Sequence, residues 1–342
     1  METLLNRNFK VKGIIECSYI PSSGVYTEHL EGIEVQVWCK VPMQAILLGK
    51  AFTDSNGEYI LEFEMDSPVS YIDDGKIKDV FIKTYYNGEE INPISLDNDA
   101  AAYFDELTPQ PSLTFKVAVN DLVKQLKEQN SWQYLDRLWI FATEYQQHAT
   151  ISLKNPTTGT LTEISSPTWT TGLGYNGNGS SQYLDTNFAP ATGGQYALNN
   201  ASFGIYSRTN SNSGTPVDIG VYTGTYANSI QARTSNVLQP RINCASSGSI
   251  ANTDSRGLFS VTRSSSTLFS AYKNGVLQAD VSNTSTALAT NKFFIMANCS
   301  NGTASNWSTR QYSLAFIGTG NIDQTKLYLV LQAFANTLGF NV

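Results

Sequence analysis

The chain has 342 residues, of which 41% are hydrophobic and 15% charged, and its net charge is −7. That length predicts two domains or three, and the apolar fraction excludes wholesale disorder. Ser, Thr, Asn and Gly supply about half of residues 151–320, a composition that suits strands and turns and excludes a helical bundle there.

Residues 9–95 read as short strands separated by turns. In GIEVQVWCKV, Ile33, Val35, Val37 and Cys39 fall on one face, the period-2 pattern of a half-buried strand. AFTDSNGEYILEF reads as two strands joined around Asn56-Gly57, and DVFIKTYY turns at Asn87-Gly88. Asn and Gly both tolerate positive φ, so each pair signals a hairpin. An antiparallel β-sandwich follows. Pro109 and Pro111 then mark an acidic linker. In the segment after it, Val119, Leu122, Val123 and Leu126 recur at helical spacing. Ser131 is placed to cap a second short helix through WQYLDRL. From about residue 150 strands return, with turns at Asn155-Pro156, Asn176-Gly177, Gly193-Gly194 and Asn274-Gly275. SFGIYSR, GLFSVTRS, TLFSAYK, GVLQADV, KFFIMAN and YSLAFIG are the clearest strands, and their number and spacing predict a two-sheet jelly roll. At the end, Leu327, Leu331, Phe334 and Leu338 share one side of a helix that Asp323 caps and Gly339 stops.

Charge is unevenly spread. Residues 1–115 carry 19 acidic and 8 basic side chains, and residues 116–342 carry 10 and 14. The first part would repel phosphates and the second has no Lys/Arg cluster, so nucleic acid is not an expected partner. No apolar stretch reaches the roughly 20 residues that span a bilayer. METLLNRNFK lacks a secretory apolar core, so a cytoplasmic origin is expected and the six N-glycosylation sequons read as by-products of composition. Cys17, Cys39, Cys244 and Cys299 are widely spaced and read as buried free thiols.

Few residues carry the patterns of catalysis. His29 and His148 stand apart with no metal-ligand partner, and no G-x-S-x-G surrounds a serine. Residues 147–342 hold six acids, Glu163, Asp185, Asp218, Asp254, Asp280 and Asp323, with no pair at i, i+2 on a strand. A glycosidase needs two carboxylates about 5–10 Å apart. Asp54, Asn56 and Glu58 suggest calcium, but Gly57 falls two places too early for an EF-hand loop. Asp254 with Arg256 reads as a salt bridge or turn. No catalytic residue, metal or cofactor is expected.

Two resemblances add to this reading. Leu48 to Tyr59, LGKAFTDSNGEY after a V-x-V strand, resembles the transthyretin-like sandwiches related to carboxypeptidase regulatory domains. Over the last two-thirds of the chain, five motifs appear in order: YNGNGSSQYLDTNFAP (175–190), NNASFGIYSRTN (199–210), NTDSRGLFSVTRS (252–264), YKNG (272–275) and STRQYSLAFIGTG (308–320). Together with NSWQYLDRLWIFATE (130–144) and SLKNP (152–156), they resemble the concanavalin/laminin-G-like domains of bacteriophage virion proteins.

The resulting expectation is an all-β chain in three parts. Residues 1–100 form an immunoglobulin- or transthyretin-like sandwich for attachment, 101–146 a linker with short helices, and 147–342 a lectin-like jelly roll closed by a helix. The resemblance implies a non-enzymatic virion protein assembled in the host cytoplasm: a head fibre or capsid decoration protein, alternatively a tail fibre that recognises host surface glycan. Its partners would be capsid or other virion proteins and further copies in a dimer or trimer. Trp169, Tyr175, Tyr222, Tyr226 and Trp307 sit among Gly/Ser/Asn/Thr stretches. They are the candidates for stacking on sugar rings.

Overall fold

The structure, a computed structural model, describes the backbone of the strands between Leu5 and Ile91 and, with side chains, Lys50–Phe52 and residues 96–342. The chain divides into two compact units, Met1–Leu96 and Asp97–Val342. Both are built on antiparallel sheets, and the second ends in a helix.

In the first unit Leu5–Ile14 pairs with Glu58–Ser67. A four-stranded sheet runs Glu89–Ile91, Val80–Tyr86, Glu34–Val41, Gln44–Phe52. Glu89 pairs with Tyr86, and the turn expected at Asn87-Gly88 lies outside the described residues. Gln44–Phe52 pairs with Glu34–Val41, whereas Glu58–Ser67 belongs to the other sheet. The two strands that flank Asn56-Gly57, expected to form a hairpin, are each paired with another strand. The turn itself, the side chains of Asp54, Asn56 and Glu58, and those of His29, Cys17 and Cys39 lie outside the described residues.

The second unit is a three-layer stack. Its front sheet runs Thr168–Thr170, Gly174–Asn176, Gln311–Gly318, Ala201–Ser207, Gly257–Arg263, Leu268–Lys273, Val276–Ser282, with Leu135–Ile140 also paired to Gln311–Gly318. The back sheet runs Thr162–Ile164, Tyr183–Asp185, Phe294–Ile295, Ile219–Tyr222, Ala227–Thr234, Val237–Cys244, Ile250–Ala251, with Asn298–Ser300 beside Ile219–Tyr222. Between them lies one apolar core to which Phe203, Ile205, Phe259, Val261, Ile219, Val221, Ile230 and Ile242 contribute. The Asn274-Gly275 hairpin forms as expected, with φ of 51° and 71° joining Lys273 to Val276.

Helices cover the outer face of the front sheet. Asp323 caps Gln324–Leu338 by accepting from the amides of Thr325 and Lys326, and Gly339 ends it in the left-handed region at φ 75°. The helix buries Leu327, Val330, Leu331 and Phe334, and Tyr206 of the sheet donates a 3.0 Å bond to its Gln332. Leu113–Glu128 buries Val119, Leu122, Val123 and Leu126. Gly204 lies in this outer row because a Cβ there would meet the Phe316 ring at 2.4 Å.

Two sequence expectations are corrected here. Residues 101–146 are no linker: they belong to the same compact unit as the sandwich. The WQYLDRL helix is a single 3₁₀ turn, Trp132–Tyr134, followed by the strand Leu135–Ile140, and Ser131 makes no side-chain cap. Leu138 and Ile140 meet the helical layer while Trp139 points into the core. Burial on both faces removed the alternation that identifies a strand.

A buried ion pair joins the two sheets. Arg310 and Asp218 are fully enclosed, 2.6 Å apart. Asp218 also accepts from the Tyr312 hydroxyl and, at 2.6 Å, from the Ala232 amide. Arg310 donates further to the carbonyls of Ser211 and Arg233. Burial pulls the guanidinium down, and the Asp218 charge more than offsets this, leaving it above its ordinary value. Asp218→Ala leaves that cation enclosed and unpaired, so a loss of about 3–5 kcal/mol is expected. Urea denaturation with an unchanged m-value measures it, and a loss below about 1 kcal/mol would contradict this account.

His148 is equally enclosed. Its Nε2 donates to the Pro109 carbonyl at 2.6 Å and Nδ1 has no partner. Burial pushes the imidazole below its ordinary value, against the opposing pull of that carbonyl and of Glu144. The unfolded chain therefore takes up the proton first, and stability is full above the unfolded value of about 6.5 and falls below it. The melting temperature should drop from about pH 7.5 to about pH 5.5, and His148→Gln should flatten that drop.

Candidate functional site

The front sheet's outer face is covered, and the back sheet carries an open groove of about 480 Å³. Its floor follows from strand alternation. Ile219, Val221, Ile230, Leu238 and Ile242 point into the core, so Gly220, Tyr222, Ser229, Gln231, Gln239 and Arg241 face outward. Pairing sets them side by side: Asn298 opposite Gly220, Gly220 opposite Ser229, Ser229 opposite Arg241 and Gln231 opposite Gln239. Four strands at the usual spacing make this polar row roughly 14 Å long.

Gly220 keeps the floor low. A Cβ there would lie 2.7 Å from Val217 and 3.0 Å from Asn298 Oδ1. That Asn298 oxygen is buried and has no hydrogen-bond partner. One wall is fixed by amides: Gln231 donates to Thr215 and Pro216 carbonyls at 3.1 and 3.3 Å, and Asn306 donates to the Thr215 hydroxyl at 3.1 Å. On the other side, Arg241 Nη2 donates to the Ala245 carbonyl. The arrangement offers hydroxyls, amides and one cation to a polar ligand, with Tyr222 as its aromatic surface. A second cavity of about 340 Å³ lies between Leu113–Glu128 and Gln324–Leu338, and its lining of Leu113, Val117, Val330 and Phe334 is mostly hydrocarbon.

The five aromatic candidates do not converge. Tyr222 lines the groove, its hydroxyl donating 2.7 Å to the Gly224 carbonyl. Tyr175 is fully buried, edge-on to Phe141 at 5.8 Å, with its hydroxyl donating to Glu163. It presents no face to a ligand, so its assignment to sugar stacking is corrected. Trp169 donates to the Phe141 carbonyl at 2.9 Å and Tyr226 to the Leu288 carbonyl at 3.1 Å. Those two rings and Trp307 pack against the core.

All six acids of residues 147–342 are engaged in the fold. Glu163 accepts from Gln146 and Tyr175, Asp185 from the Asn187 amide and Lys292, and Asp218 holds Arg310. Asp254 pairs with Arg256 at 2.9 Å as expected, which holds its carboxyl down at about 2. Asp280 accepts from Ser270, and Asp323 caps the last helix. Among the described residues no cluster of His, Cys, Asp and Glu is arranged to hold a metal, and no helix is long and apolar enough to cross a membrane. Cys244 and Cys299 are free and buried, as expected.

The groove's polar residues escaped sequence analysis. Their one signal is alternation: Gln231 and Arg233 flank Ala232, and Gln239 and Arg241 flank Pro240, between core positions Ile230, Leu238 and Ile242.

No protein-family model matches the chain, and no curated protein is recognisably similar to it. Solved structures do align. Domain 4 of AbnA, an extracellular arabinanase from Geobacillus stearothermophilus in complex with arabinotriose, is 11% identical, covering 58% of this chain and 98% of that one, TM-score 0.40. The CBM40 of the Ruminococcus gnavus IT-sialidase is 13% identical, covering 39% and 83%, TM-score 0.31. A Trypanosoma rangeli sialidase mutant is 9% identical, covering 88% and 44%, TM-score 0.41. All three scores lie below 0.5, so the two-sheet architecture stands on this chain's own strand order.

Tyr222 and Tyr175 should separate cleanly on truncation. Tyr175→Ala empties a core site and is expected to cost about 3–5 kcal/mol, whereas Tyr222→Ala should cost less than about 1 kcal/mol. Paired denaturation curves test this, and equal losses would overturn the placement of Tyr222 in an open groove.

Proposed function

We propose that the chain is a non-enzymatic phage virion protein, a head fibre or capsid-attached decoration protein, whose second unit binds glycan in the back-sheet groove. The groove carries this reading. Sugars present hydroxyl donors and acceptors around a weakly apolar ring face. The Asn298–Gly220–Ser229–Arg241 row, with Gln231, Gln239 and Tyr222 beside it, matches that chemistry over the length of a short oligosaccharide. The ordered motifs shared with virion concanavalin/laminin-G-like domains support the particle assignment. The solved structures named above include an arabinanase domain in complex with arabinotriose, which agrees with a carbohydrate ligand.

The groove also favours a second reading, in which the protein is a tail fibre or receptor-binding protein that recognises host surface glycan. Capsid or other virion proteins are the partners in either case, with the first unit as the attachment module and a dimer or trimer as the assembled form. Immunogold labelling of particles separates the readings: label on the head supports the first, label on the tail the second, and unlabelled particles would sink both. For the groove itself, the full-length chain should bind a glycan array. Tyr222→Ala, which removes the groove's aromatic surface at little cost in stability, should weaken the bound signals at least about ten-fold. Undiminished binding by that variant would place the glycan elsewhere.

A further inference from the structure

The groove's electrostatics are one-sided. Among its lining residues Arg241 carries the charge, and none of them is a carboxylate. The six acids of residues 147–342 are all bonded elsewhere, and the hydrogen bond Arg241 makes goes to a neutral carbonyl, Ala245. Its guanidinium therefore stands at one end of a polar groove whose lining, among the described residues, holds no anion, in direct register with the small side chain of Ser229. At the other end of the row, Asn298 Oδ1 is a buried acceptor that lacks a donor. It is enclosed beside Gly220, 3.0 Å from where a Cβ of that residue would stand.

A ligand that completes the groove needs an anion to meet Arg241. A planar guanidinium matches a carboxylate best, because two parallel N–H groups meet two oxygens. An uncharged sugar would instead cover the cation and strip its water without a counter-charge, which is unfavourable. We propose that the groove selects sugars bearing a carboxylate, as uronic and sialic acids do, with Arg241 holding the carboxylate. This inference rests on the glycan reading of the same groove.

The test is an array of matched glycans, carboxylate-bearing and uncharged, probed with the full-length chain. Trigalacturonate, 3′-sialyllactose and their methyl esters serve as soluble competitors. Esterification removes the charge and leaves the ring hydroxyls, so the free acids should compete at least about ten-fold better than the esters, the size of one charge-assisted bond. Arg241→Gln should erase that preference. Arg241→Lys should keep it at reduced affinity, because the charge remains and the fork is lost. Arg256→Gln, outside the groove's lining and paired with Asp254, controls for bulk charge and should change nothing. Melting curves for each variant establish that the fold is intact. Binding confined to uncharged glycans, or equal competition by acid and ester, would overturn the carboxylate preference and leave glycan binding standing. No binding to any glycan would overturn both.

Discussion

Asp218 fixes the second unit. Its backbone amide donates to Ile230 and its carbonyl accepts from Met296, which places it among three strands of the back sheet. Its carboxylate reaches across the core to Tyr312 and Arg310 on the front-sheet side. A buried charge needs a partner, so this ion pair favours one relative placement of the two sheets, although Arg310 Nε is left without a hydrogen-bond partner. Hydrophobic contacts alone are non-directional and would allow others.

That placement also positions the groove. Arg310 draws in the Ser211 and Arg233 carbonyls. This gathers the loop before Thr215 and the end of the Ala227–Thr234 strand at the groove's wall. Asn306, four residues before Arg310, donates into the same wall through Thr215. The polar surface is thus an extension of a polar interior. The stack is asymmetric for a related reason. The front sheet presents Leu138, Leu258, Leu314 and Phe316, buried outside the intersheet core, and the helices cover that layer. The back sheet presents Ser229, Gln231, Gln239 and Arg241, which water or a hydroxylated ligand satisfies without a cover.

The charges are divided in the same way. Acids serve as caps, ion-pair partners and hydrogen-bond acceptors of the scaffold. Arg241 is the charged side chain of the groove's lining.

The sequence by itself determined the local features. Asn274-Gly275, the Asp323 and Gly339 caps, and the stripes of the two long helices all depend on residues within a turn or two of each other, and all appear where the pattern places them. The strands SFGIYSR, GLFSVTRS and TLFSAYK were legible from the turns and spacing around them, although the first two are buried on both faces. Tertiary structure decided what depends on distant partners. Leu135–Ile140 is a strand because Gln311–Gly318 lies beside it. Tyr175 is core rather than platform because Phe141 and Glu163 enclose it. The groove exists because pairing aligns Asn298, Gly220, Ser229 and Arg241, which lie far apart along the chain. Local pattern encodes which way a side chain faces, and only strand registry decides which side chains become neighbours.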